Sequence, residues 1–308
     1  MWQSKRRIPK LFLCLNLVFC QSDSSTSPTT IWEYQLKGSG SISGAIVRRE
    51  NGLVASHDEK SLWITMDDGS LHIITDPFHR TVTEMVYMPT SLTDRSIQSR
   101  SNVQLYEHQG NVVYGVYAIL DVGDTITSRV ICVTANGKQR WQVILDGIAM
   151  GTPQIGIDGK RIYITHNTGA DYLTGRLTMM ENDMYGISTE IPLQGAGGFG
   201  FADVAAPFGP LAVSMERDKD VVYWGESWAQ GTAGYGTLYK YSDGTVIGLR
   251  RTPWSTTVAP TLSKDGKSLW IEGGAGLLNA WTSGQSFSKH PSWSENFSSF
   301  GRSSSSRK

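Results

Sequence analysis

Residues 153–164, PQIGIDGKRIYI, and residues 260–271, PTLSKDGKSLWI, repeat one another in register. Each copy runs from a proline through Asp-Gly-Lys into an apolar, aromatic segment. Asp-Gly ahead of a β-rich run is a hairpin signal, because glycine takes the positive φ that tight turns require. Three further segments follow the same plan: Lys60 to Ile64 (KSLWI), Gly110 to Tyr114 (GNVVY) and Lys219 to Trp224 (KDVVYW). With Leu62, Val112, Ile162, Val221 and Leu269 taken as equivalent, the steps are 50, 50, 59 and 48 residues. The longest step contains the glycine-rich stretch Gly195–Gly200.

Downstream of each segment lie another turn and another strand pattern. Examples are Asp68-Gly69 before LHII, Asn136-Gly137 after RVICVTA, Asp243-Gly244 after TLYKYS, and the run Leu277 to Trp281. Each repeat therefore holds about four strands, which is what 50 residues supply at about 5–7 residues per strand. One such sheet cannot bury both faces alone, whereas repeats stacked around an axis bury them against each other. Large aromatics then fill the widening gaps between sheets, which accounts for ten Trp and twelve Tyr without a ligand. The sequence thus predicts an all-β chain of about five four-stranded blades. They either close into a small ring or belong to an incomplete larger one.

Composition agrees. The chain has 308 residues, 39% of them hydrophobic, with 33 Gly and only 18% charged. That pattern favours short strands and tight turns over helix bundles. Lys and Arg together match Asp and Glu at 28 each, so there is no electrostatic footprint for nucleic acid.

Residues 1–20 read as a secretory signal peptide. Basic residues Lys5, Arg6, Arg7 and Lys10 precede the apolar run LFLCLNLVFC, and a polar Ser/Thr-rich linker follows over 21–30. The apolar run falls short of the roughly 20 residues a bilayer span needs. Val18 and Cys20 offer small residues for cleavage before Gln21. The expected location is secreted or in the ER lumen, with a signal-anchored membrane protein as the alternative. After cleavage only Cys132 remains, read as a buried strand residue rather than a reactive thiol.

The order of strand, Asp-Gly-Lys, aromatic strand, turn and Trp-bearing strand resembles the PQQ-like repeat of quinoprotein-type β-propellers. The resemblance covers 31–293 and is clearest in the third and fifth repeats. It implies a propeller fold. In the dehydrogenases of that superfamily it also implies pyrroloquinoline quinone with Ca²⁺ at the axis, against a pair of adjacent cysteines. This chain has no such pair. Ring closure in propellers commonly borrows a terminal strand; Ile31 to Leu36 (IWEYQL) is one candidate to complete the last blade, and the stretch Gln285–Trp293 competes for that place. Residues 294–308 are Ser- and Arg-rich and are expected to be a disordered tail.

Other motifs read as structural. Gly195 to Gly200 matches G-x-G-x-x-G, but Pro207 and Pro210 leave no helix for a dinucleotide site. Ser56-His57-Asp58 has triad residue types, but consecutive residues point apart, so a polar turn is expected. Asp67-Asp68-Gly69 reads as a hairpin turn rather than a Ca²⁺ loop. The histidines lack zinc-site spacing. Trp224, Trp228 and Tyr235 read first as blade-packing aromatics and, as the alternative, as a candidate ligand-binding platform; Asn296 begins the sole N-x-S/T glycosylation sequon. The expected function is a non-catalytic secretory-pathway scaffold that binds a protein or an extracellular ligand and has no cofactor. The alternatives are a small quinoprotein-like oxidoreductase with PQQ and Ca²⁺, or a carbohydrate-binding or -cleaving propeller.

Overall fold

A computed structural model describes residues 14–16, 33–36, 52–77, 82–90, 92, 95–99, 101–168, 174–182, 188–192, 211–216, 218–230, 233–252, 260–263, 268–273, 277–282 and 293–296. A short pair, β1 (Cys14–Asn16) and β2 (Glu33–Gln35), comes first. Every described element is a strand, and no described helix is long and apolar enough to cross a membrane.

Five antiparallel sheets follow in chain order. Blade 1 is β3 (Leu53–Ala55), β4 (Ser61–Thr65), β5 (Leu71–Thr75) and β6 (Thr83–Tyr87). Blade 2 is β7 (Ser96–Ser99), β8 (Gln104–His108), β9 (Asn111–Val122), β10 (Ile126–Thr134) and β11 (Gln139–Asp146). Blade 3 is β12 (Ile148–Ala149), β13 (Gln154–Ile155), β14 (Arg161–Thr168), β15 (Thr174–Glu181) and β16 (Ser188–Pro192). Blade 4 is β17 (Ala212–Glu216), β18 (Lys219–Gln230), β19 (Ala233–Ser242) and β20 (Thr245–Thr252). Blade 5 is β21 (Thr261–Leu262), β22 (Ser268–Gly273), β23 (Leu277–Thr282) and β24 (Trp293–Asn296).

The architecture is an all-β propeller of five blades. Leu62, Val112, Ile162, Val221 and Leu269 all fall on the second strand of their blades. The turn signals hold as well. Gly69, Gly137, Gly159 and Gly244 all have positive φ, and at Asp243-Gly244 both turn residues do. In blades 2 and 3 the first strand is split, β7 with β8 and β12 with β13, because the long second strand outruns any one partner. Ser101 patches one break: its Oγ accepts from the Ala118 amide at 2.7 Å. Ser128 does the same for the Ala149 amide at 2.7 Å.

Alternation along the strands assigns each face to a neighbour. Tyr114, Val116, Ala118, Val130 and Cys132 of blade 2 pack on Ile162, Ile164 and Met180 of blade 3. On the opposite face Tyr117, Ile119, Ile131 and Val133 pack on Trp63, Leu71 and Ile73 of blade 1. Tyr163 and Leu177 of blade 3 meet Val222, Trp224 and Tyr241 of blade 4. Burial on both faces explains why these strands read as continuous apolar runs.

Polar latches set the angle between blades. The His57 amide donates to Glu107 Oε1 of blade 2 at 2.7 Å. Tyr114 Oη donates to the Gly159 carbonyl of blade 3 at 2.8 Å. Asp220 of blade 4 accepts from the Ile157 amide at 3.2 Å and from Tyr163 Oη at 2.9 Å. Gly115 marks a close approach of blades 1 and 2. A Cβ there would lie 2.7 Å from Val103 Cγ2 and 2.8 Å from the Trp63 ring. Gly115→Ala is expected to cost about 1–3 kcal/mol through forced repacking, measured by urea denaturation. Trp63→Phe in that background should recover part of it.

In the full chain Glu33–Gln35 pairs with Cys14–Asn16, inside the segment read as a cleavable signal, and Leu36 packs against the Leu62, Ile64, Met66 and Ile74 face of blade 1. The outer strand of blade 5 is Trp293–Asn296, so the sheet runs three residues past the expected domain end at 293. The chain supplies that edge locally, by its own hairpin order, and needs no borrowed strand.

Candidate functional site: an axial cavity

The first strands of all five blades line one cavity of about 460 Å³. Its wall includes Val54, Gln104, Gln154, Val213 and Thr261. These residues are separated by 50, 50, 59 and 48 residues, the same steps as the repeat. One structurally equivalent position per blade therefore faces the axis. Contacts between neighbouring first strands agree: β13 lies beside both β8 and β17, and β17 beside β21. The volume suits a small ligand, whose sites run about 300–1,000 Å³.

The described residues of the wall are uncharged and unevenly divided. Blades 2 and 3 contribute Asn102, Gln104, Thr152 and Gln154 beside Val103, while blades 4, 5 and 1 contribute mainly Leu211, Ala212, Val213, Pro260, Leu262 and Val54. The polar half is preorganised by the strand breaks. The Asn102 amide donates to Thr152 Oγ1 at 3.1 Å, which joins blade 2 to blade 3 at the wall. Gln154 Nε2 reaches the Thr152 carbonyl at 3.4 Å. Asn102 Oδ1 is buried without a hydrogen-bond partner among the described residues. An orphaned buried acceptor costs about 1–3 kcal/mol until a donor meets it.

The sequence-predicted platform does not assemble at this cavity. Trp224 is 1% exposed and packed between blades 3 and 4, so its ring has no open face for a ligand. Trp228 and Tyr235 pair across β18 and β19, but their side chains lie outside the described residues. Asn296 ends β24 opposite Leu277, and its side chain and Ser298 also lie outside the described residues. The same holds for Gly195–Gly200.

Ser56, His57 and Asp58 form the polar turn that was expected. Ser56 Oγ donates to Asp58 Oδ1 at 2.7 Å rather than to His57, and this bond holds the Asp58 carboxyl below its ordinary pKa. Asp68 accepts from the Ser70 amide at 2.9 Å in its hairpin. No group of three His, Cys, Asp or Glu able to hold a metal occurs among the described residues.

A second polar constellation escaped the sequence reading. His72 Nδ1 lies 2.6 Å from Glu84 Oε1, and its Nε2 lies 3.2 Å from Ser70 Oγ. These are triad residue types in contact, placed by the i, i+2 face of β5 and the diagonal neighbour on β6. Ser70 is only 1% exposed, and its Oγ also lies 2.6 Å from Asp68 Oδ1. A nucleophile needs an open side for a carbonyl and an oxyanion site. This group instead ties the β4–β5 turn to the outer strand.

Cys132 is fully enclosed between blades 2 and 3, and burial pushes its thiol up to about 12. Reactivity requires the thiolate. A disulfide exchange reagent at pH 8 should leave Cys132 unmodified in the folded protein and titrate it after unfolding. The raised value also sets a sign. Unfolded Cys132 ionises near its ordinary pKa of 9.0 while the folded thiol stays neutral. Its contribution to stability is thus complete below about pH 9 and is lost as pH rises towards 12.

No protein-family model matches the chain, and no curated protein matches it. Solved structures do resemble it. An oligogalacturonate lyase in complex with manganese superposes with a TM-score of 0.51 at 12% identity, over 81% of this chain and 65% of that one. BamB from Moraxella catarrhalis gives 0.49 at 15% identity, over 86% of this chain and 64% of that one. The β-propeller domain of Cps50 (Swd1) from Myceliophteria thermophila gives 0.49 at 12%, over 75% and 64%. The chain therefore spans just under two thirds of the length of each. At such identities the likeness concerns the fold alone.

The cavity does not fit pyrroloquinoline quinone with Ca²⁺. The residues that line it include no Lys or Arg to match the cofactor's carboxylates and no Asp or Glu to ligate the ion. Nor do they include the facing carboxylates of glycoside hydrolysis.

Proposed function

We propose that this chain is a non-catalytic binding scaffold of the secretory pathway, with its ligand seated at the propeller axis. The observation that carries the reading is the convergence of one equivalent position from each repeat on a single uncharged cavity. Neutral amides, hydroxyls and aliphatic groups recognise; they do not supply the titratable pair that acid–base chemistry uses. The basic start and apolar run of residues 1–20 support the secretory assignment.

Two measurements test this. Thermal melts with PQQ and Ca²⁺, each alone and together, should show no saturable joint shift, since only a native-state binder raises the melting point. A joint saturable shift with turnover would instead establish the oxidoreductase. Amino-terminal sequencing of the exported protein should begin at Gln21. Recovery of an uncleaved, membrane-bound chain would overturn the secreted assignment in favour of a signal anchor.

A further inference from the structure

We infer that the axial ligand is a small, uncharged, two-sided molecule, with a hydrogen-bonding edge turned to blades 2 and 3 and an apolar edge turned to blades 4, 5 and 1. The inference rests on the axial site proposed above and adds the ligand's chemistry to it.

The five equivalent positions are not alike. Gln104 and Gln154 sit side by side on neighbouring blades, while Val54 and Val213 face the same space from the other side. Thr261 stands between the two valines on blade 5. A ring of repeats has no need of this asymmetry, because any one residue type would close the axis equally well. The glutamine carboxamides each offer donors and an acceptor, so they pair with an amide or a hydroxyl group without selecting a charge. An ionised ligand would leave water and find no counter-charge among the described residues of the wall, which is costly. Asn102 adds a bias toward donors. Its Oδ1 lies unpartnered beside the cavity, and a turn of the carboxamide towards a ligand N–H or O–H would satisfy it. The apolar half, with Leu211, Pro260 and Leu262, excludes water from the opposite edge of the same ligand.

Neutral amides and neutral sugars share this chemistry, and the test separates them. Ligand-observed NMR on the full chain uses three probes: N-acetyl-leucine amide, methyl β-glucoside, and N-acetyl-leucine with its free carboxylate. Each is repeated on Val213→Trp, which projects a bulky ring into the cavity, and on Gln104→Leu/Gln154→Leu, which keeps its volume but removes its polar half. Melting curves confirm that both variants fold. The inference expects a neutral probe to bind, to lose binding in Val213→Trp, and to weaken about 10- to 100-fold in the double leucine variant. Which neutral probe binds identifies an amide or a hydroxyl ligand. Plug-sensitive binding of the carboxylate alone would overturn the inference while leaving the axial site standing. Binding that survives Val213→Trp, or no binding by any probe to a folded chain, would overturn the axial site itself.

Discussion

Arg129→Met is expected to destabilise the protein by about 3–5 kcal/mol, because it leaves the Asp121 carboxylate buried without its partner. Both side chains lie inside blade 2, 2% and 0% exposed. The guanidinium donates through Nε to Asp121 Oδ2 at 2.6 Å and through Nη2 to Oδ1 at 2.7 Å, a bidentate pair. Nη1 donates to the Thr90 carbonyl at 2.9 Å, so the same side chain anchors the link from blade 1 to blade 2. The melting point should fall by roughly 6–20 °C for a domain of this size. Arg129→Met/Asp121→Leu should recover most of the loss, since replacing both charges with apolar groups is often neutral. A single variant as stable as the parent would show that the pair is solvated, against the packing described here.

Gly147→Ala should be of similar severity, at about 3–5 kcal/mol. Gly147 joins β11 to β12, where the chain crosses from blade 2 to blade 3, and its φ is +81°. A side chain in that region costs about 1–2 kcal/mol on its own. An added Cβ would also stand 1.9 Å from the Asn167 carbonyl, a backbone atom that cannot swing aside. Moving it would disturb the Ile148–Asn167 register and the bond from Ser128 Oγ to the Gly147 carbonyl at 2.8 Å. Chemical denaturation should show a lower midpoint, and hydrogen exchange should quicken first in β12 and β14. An unchanged midpoint would mean that the crossing is built differently.

The sequence carried the blade count because the information was local and repeated. Asp-Gly turns, apolar runs and a step near 50 residues mark the second strand of every blade without any three-dimensional knowledge. The axis was encoded at the same steps, yet Val54, Gln104, Gln154, Val213 and Thr261 have no shared chemistry to reveal it. Only the register between blades shows that these five face one space. The Arg129–Asp121 pair and the Ser70–His72–Glu84 group were hidden for a related reason: each joins neighbouring strands, and hairpin register is not readable from residue type. At Trp224 the packing reading holds: the ring is enclosed between blades 3 and 4. Two segments compete for the closing strand in the sequence for a like reason: the alternation in Ile31 to Leu36 suits any edge, and the outer strand observed in blade 5 begins at Trp293.

The central claim is that five consecutive blades surround one axis, and cross-linking tests it most directly. Val54→Cys and Val213→Cys place thiols on blades 1 and 4, which are not consecutive but line the same cavity. In a Cys14→Ser/Cys20→Ser background, with Cys132 shielded by burial, a short bis-maleimide should join them within one chain and produce a compact, fast-migrating species. Two single adducts and no internal link, in a protein that melts cooperatively, would contradict the ring and the axial site with it.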